Sequence, residues 1–476
     1  LPTVRKERVE MTPFGFGPPD DQNNENNGQN PEGFDINEMM RQMQAEFQKI
    51  SPQFGFMNPA NLFGGMFGGN GGSNSALPKD VIREVAKTFI QTQGSQPIGA
   101  NDEAKCEEAF SIANTWLDQA TVFPMAASDH AAISPIDWLN NTIDGWHSTF
   151  EPLAIGLSDA VTKLVEEATG AMQAGQIEGL EGLENLDPQQ AAMAAQLGPM
   201  AQILRGFIGS MLATQMGQTI GALASASKGS HDAALPLTNN AEKALKPSLL
   251  PQTLRKFGTD LEIPETEIAI FFALREAAIA RLFESNPWLV SYMKAAIAEY
   301  GKGIHIDLDA IQRQAEETMR SMEDAGQEFD PQNAESFTIA LNNGLFTPEE
   351  SPQQAAALEK LETALALIDG WVEEVITLAA DNRLPSLASL SELLRRERVS
   401  NSPIQQLFKA LFNLEVSPKR VREATFFWHE LREKRDLEQR DKVWSGLLPT
   451  EKELSDPIAF IGSTEIPDDI SKLFDN

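Results

Sequence analysis

A chain of 476 residues with 69 acidic against 38 basic side chains carries a formal net charge of −31 and a pI near 4.5, which repels nucleic-acid phosphates and anionic lipid surfaces and argues against both as partners. Hydrophobic residues make up 41% of the chain and only two residues are tyrosine, while alanine and methionine are plentiful; this balance favours packed helices over strands. Cys106 is the only cysteine, so an intrachain disulfide, a cysteine zinc ribbon and a Cys-x-x-Cys redox pair are excluded and a cytoplasmic setting is expected.

In chain order, the basic decapeptide 1–10 reads as a start-site artefact ahead of Met11, and no apolar signal core follows it. Together with residues 11–80, rich in Gly, Asn and Pro, it is expected to form a disordered tail. Met39, Met40, Met43 and Phe47 within it have helical spacing, which fits either a short docking helix or a transient helix with no partner. Ordered structure is expected from Leu77-Pro78, with one all-α domain over 81–476. His130 and His147 lie in a Trp-rich stretch and read as structural groups. From Gly206 to Ala226, Gln215, Gln218 and Thr219 interrupt the apolar run, so it is not expected to span a membrane. Gly209, Ala213, Gly217, Gly221 and Ser225 recur there at every fourth position. That narrow face invites close approach by another helix.

A longer helix of about six turns is predicted between Pro264 and Pro287, with Glu265 and Glu267 complementing the positive end of its dipole. Ile268, Phe272, Ile279 and Leu282 share its apolar face, and Arg275 falls on that same face. A guanidinium buried there demands partners; alternatively it reaches solvent along its aliphatic stem. Farther on, His305, Asp307 and Asp309 lack the ligand count of a calcium loop. Basic residues concentrate between Leu384 and Trp444, including Arg395, Arg396 and Arg398, but interleaved glutamates dilute the field and solvated helix faces are expected. His429-Glu430-Leu431-Arg432-Glu433 superficially imitates a zinc-binding helix, yet Glu433 stands where a second histidine belongs.

Several segments together carry a resemblance. They are Trp116-Leu117-Asp118-Gln119-Ala120-Thr121, Asp137-Trp138, Arg275-Glu276-Ala277-Ala278-Ile279 followed by Pro287-Trp288-Leu289, Leu367-Ile368-Asp369-Gly370-Trp371, and Arg440-Asp441-Lys442-Val443-Trp444. The chain resembles a bacterial family of zincin-like metallopeptidases, whose His-Glu-x-x-His helix is followed closely by Pro-Trp-Leu. In such an enzyme two histidines at i and i+4 hold zinc from one helix face, and the glutamate between them is general base for the metal-bound water. The resemblance implies that Arg275 and Ile279 stand at the histidine positions, Glu276 at the general-base position and Asp369 at the third ligand position. It further implies a degenerate motif with no metal ligands expected, and zinc as cofactor only if the family activity is retained. Arg275 is then expected to pair with Asp369, with Glu276 as a second candidate partner, in place of the metal.

The resulting expectation is a zinc-free pseudo-peptidase that binds a protein or peptide, with neither nucleic acid nor membrane insertion involved. An active metallopeptidase using unidentified ligands, and an interaction scaffold working through its tail, are the alternatives. Oligomeric state is not legible.

Overall fold

The computed structural model describes residues 75–127, 129–173, 188–232, 235, 245–259, 261–304, 351–401, 403–412, 416, 420–446 and 448–463. Residues 1–74 of the expected tail, its candidate docking helix, and the His305, Asp307 and Asp309 group lie outside these residues; the last residues of that stretch do not fit a disordered tail, since Leu77 is buried in the core and Lys79 and Asp80 open the first helix.

The fold is all-α, as the composition predicts. Helix α1 (Lys79–Gln93) starts directly after Pro78 and buries Ile82, Val85, Ala86 and Ile90, a stripe of helical period. It is followed by α2 (Ala100–Leu117), α3 (Pro135–Gln173) and α4 (Pro188–Ala226). The small-residue face of α4 receives α1: a Cβ on Gly217 would stand 2.7 Å from Val85 Cβ, and one on Gly221 2.8 Å from Phe89 Cβ. Only a residue without a Cβ lets the two backbones approach so closely. Among the described residues, no helix is long and apolar enough to cross a membrane.

Strands β1 (Ala131–Ala132) and β2 (Ser248–Leu249) form one short parallel pair with Ala132 opposite Leu249, and Gly229 bridges Leu249 from the other side. Helix α5 (Pro251–Gly258) leads into α6 (Glu265–Ser285) and α7 (Trp288–Lys302). Pro264 is the N-cap of α6. Beyond the expected apolar stripe, every residue from Phe271 to Phe283 is buried. A helix covered on all sides is a central element, and α6 packs against both α2 and α8 (Pro352–Ala380).

The start of α8 has a local cause. Ser351 Oγ accepts from Gln354 N at 3.2 Å, Gln354 Oε1 accepts from Ser351 N at 3.0 Å, and Pro352 takes the first helical turn. Helices α9 (Leu387–Asn401), α10 (Pro403–Phe412), α11 (Val421–Lys434), α12 (Leu437–Lys442), α13 (Glu451–Leu454) and α14 (Pro457–Ser463) complete the described residues.

The scattered Trp motifs converge. Asp441, fully buried, accepts from Thr121 Oγ1 (2.6 Å), Val122 N (2.9 Å), Trp371 Nε1 (2.9 Å) and Arg440 Nε (2.8 Å). Arg440, equally buried, also donates to Ala120 O at 2.7 Å. Trp428 stacks on Trp444, and Trp288 Nε1 donates to Trp444 O at 3.0 Å. Three stretches, two of them 320 and 70 positions away from Asp441, are thus clamped around one carboxylate.

Candidate functional site

Helices α6 and α8 lie side by side despite the ~90 residues between their key positions, and they bring Arg275 to Asp369. Arg275 Nη2 donates to Asp369 Oδ1 at 3.2 Å, and Nη1 to Glu373 Oε2 at 3.4 Å. Asp369 and Glu373, at i and i+4, share a face of α8 and present two carboxylates to one guanidinium. Ile279, one turn beyond Arg275, is buried in the apolar core.

A second arginine completes the cluster. Arg398, on α9, donates from Nη1 to the same Asp369 Oδ1, and its Nη2 reaches Asp232 O and Oδ1, both at 3.1 Å. Arg395, one turn earlier on α9, lies 3.6 Å from Glu373. Arg398 is largely covered rather than on a solvated helix face, as the interleaved charges suggested; its side chain is 17% exposed. The correction has a visible cause. Leu390 and Leu394 are buried on α9, and Arg398 continues their i, i+4 row inward. By contrast, Arg396 in the same run is exposed.

Glu276 does not join Arg275. Successive residues point about 100° apart around a helix, so Glu276 turns to the segment that follows α4. Both its oxygens accept from His231 N, at 2.9 and 3.1 Å, and its Oε2 is 2.9 Å from His231 Nδ1. Gly229 makes this possible, since a Cβ there would fall 2.2 Å from Glu276 Oε1. The segment is held in place by Ser230 N donating to Ser248 O (3.1 Å), Leu250 N donating to Lys228 O (3.0 Å) and Lys228 N donating to Asp232 Oδ2 (3.1 Å). The His231 ring stacks on Phe283 of α6. Lys228 Nζ in turn bonds Glu397 on α9.

Burial and neighbouring charges act in opposite directions across the cluster. Burial works to raise the Asp232 carboxyl, but Lys228 and Arg398 outweigh it and hold its pKa below the ordinary aspartate value. Burial lowers Arg275, and repulsion from Arg398 adds to this, only partly offset by Asp369, Glu373 and Asp232. For Arg398 the order reverses: burial lowers it, and Asp369 and Asp232 more than compensate, so its pKa is raised.

Sequence reasoning missed His231, Arg398, Asp232 and Glu373. Glu373 was readable from its i, i+4 relation to Asp369, and Arg398 from its place in the leucine row. His231 carried no comparable signal beyond a glycine two residues before it at a helix end. His429 lies on α11, 3.5 Å from Glu374 and partly exposed, apart from these residues. His130 pairs with Glu107, and His147 bonds Leu77 O.

The family model of the zincin-like metallopeptidases matches residues 79–461. No curated protein matches the chain. Among solved structures, a candidate hydrolase with a novel fold from Chloroflexus aurantiacus aligns with a TM-score of 0.52 at 15% identity, covering 81% of this chain and 98% of that one. At such identity the likeness is one of fold.

Proposed function

The chain belongs to the zincin-like metallopeptidase family, and we propose that within it this protein works without zinc, binding a protein or peptide where a zinc enzyme would bind its substrate. One observation carries the reading: the carboxylate at the family's third ligand position, Asp369, is shared by two guanidiniums, Arg275 and Arg398. The donor set does not suit zinc. Arg275 and Ile279 offer no ligand atom where two histidines are required, and among the described residues no group of three or more His, Cys, Asp or Glu side chains is placed to hold one ion. Zinc-bound water owes its neutral-pH reactivity to the metal's lowering of its pKa from 15.7 to about 7, and Glu276 supplies no equivalent. The two fixed positive charges replace the metal in holding α6, α8 and α9 together. A cytoplasmic setting, consistent with the lone buried Cys106, and an acidic surface that disfavours nucleic acid complete the proposal.

Metal analysis of protein purified from zinc-supplemented culture is expected to find far less than one zinc per chain, and chelation is expected to leave the melting temperature unchanged. Stoichiometric zinc, lost on chelation together with peptidase activity, would overturn the reading. For the partner, peptides selected from a displayed library are expected to slow amide exchange in α6 and α8; selected peptides that protect neither helix would place binding elsewhere.

A further inference from the structure

Three helices wall a small cavity that uses none of the arginine-cluster residues, and each contributes one i, i+3, i+4 row: Asp102, Lys105 and Cys106 on α2, Pro251, Leu254 and Arg255 on α5, and Glu265, Ile268 and Ala269 on α6. Leu249 of β2 closes the base. The rows sort by chemistry. Cys106, Leu249, Leu254 and Ile268 are buried, and burial pushes the Cys106 thiol up to about 12, so it stays a neutral, apolar wall. Lys105, Arg255 and Glu265 are exposed and stand with Asp102 at the mouth in two ion pairs: Lys105 Nζ lies 3.0 Å from Glu265 Oε2, and Arg255 Nη1 2.7 Å from Asp102 Oδ1. Burial works to raise the Asp102 carboxyl, but Arg255, the Gly99 N–H and Lys105 outweigh it and keep it ionised at neutral pH. The cavity volume is about 50 Å³, several times the roughly 10–15 Å³ that one water needs and well short of the ~150 Å³ that admits benzene.

We propose that this cavity binds a small aliphatic amino acid as the free zwitterion, its branched alkyl group in the apolar base and its two charges at the mouth. The volume suits the side chain of valine and excludes an aromatic ring. Arg255 and Lys105 face the carboxylate of the ligand, and Asp102 and Glu265 its ammonium group. Because the mouth carries both signs in equal number, a ligand with a single charge leaves half of it unmatched. Ion pairs this exposed contribute little to stability, so exchanging each other for the ligand costs the fold little. The apolar base supplies the rest of the affinity by taking the alkyl group out of water. The site uses neither Arg275 nor Asp369, and it stands independently of the zinc-free peptide reading.

The test is methyl NMR on the full chain with L-valine as probe. Saturable shifts are expected at the methyl groups of Leu249, Leu254 and Ile268, and none with L-phenylalanine. Valine amide lacks the carboxylate and N-acetylvaline the ammonium group, so each loses a charge-assisted contact and is expected to bind about tenfold more weakly or worse. These analogues also stand in for the first and last residues of a peptide. Equal binding of either would hand the cavity to a chain terminus and overturn the free amino acid as its ligand. Arg255→Gln, at an exposed position, is expected to weaken valine by about tenfold, and Ala269→Leu to abolish the shifts by filling the base. Should Ala269→Leu fail to fold, Arg255→Gln and the two analogues decide. No saturable shift with valine up to its solubility limit, or unchanged affinity in Arg255→Gln, would overturn the proposal.

Discussion

Replacing Asp441 with alanine is expected to lower the unfolding free energy by about 3–5 kcal/mol, the cost typical of stranding one member of a buried ion pair. The residue is fully buried, and its oxygens accept from Thr121, Val122, Trp371 and Arg440. Alanine leaves the Trp371 indole N–H and the Thr121 hydroxyl without their acceptor, and the Arg440 guanidinium charged in a site closed to water. Asp441→Asn, close to isosteric, keeps one acceptor oxygen and is expected to cost less than the alanine variant. Urea unfolding measures both, with the midpoint falling while the slope is retained. An alanine variant within 1 kcal/mol of the parent would show that this carboxylate does not anchor the fold.

Asp369→Ala is expected to destabilise by a similar amount, about 3–5 kcal/mol, and by more than Arg275→Ala. Asp369 Oδ1 is common to Arg275 and Arg398, so its removal brings two like charges into opposition with only Glu373 and Asp232 to moderate them. Loss of Arg275 instead leaves Asp369 paired with Arg398, and Glu373 still within 3.6 Å of Arg395. A double-mutant cycle over Asp369 and Arg398 should return a coupling of roughly 0.5–3 kcal/mol. If Arg275→Ala proved the costlier change, Asp369 could not be the shared anion described above.

The contrast between Arg275 and Arg398 shows what the sequence could disclose. Arg275 sat alone among apolar residues with a clear helical period, so its burial and its need for a carboxylate were legible, and family resemblance supplied Asp369 from about 94 positions away. Arg398 was embedded in alternating charges, where the same rule of inward-facing rows applied but the pattern was masked by Glu392, Arg395, Arg396 and Glu397. Glu276 was assigned a position, yet its partner His231 belongs to an irregular segment whose path is fixed by Ser248 and Leu250, long-range backbone pairings that no local period encodes. The Arg440-Asp441 motif was noticed as text and understood only once Thr121, Trp371 and Asp441 were seen in one place. Local rules read helices well; they do not read which distant backbone a side chain will meet.

The span of that last contact has a consequence for how the protein is made. Thr121 and Asp441 are 320 positions apart, and a ribosome adding 5–20 residues per second needs on the order of 16–64 s to synthesise the intervening chain. Throughout that interval the Thr121 hydroxyl, the Val122 amide and, once made, the Trp371 indole wait without the acceptor that the finished molecule gives them. The early helices must therefore persist as an incomplete body with apolar surface open to neighbours, and a nascent chain of this length falls in the class that calls on holding chaperones. A fragment that stops short of Asp441 is expected to aggregate rather than to form a smaller working protein, so one aspartate ties the fate of the residues around Thr121 to a stretch made 320 positions later.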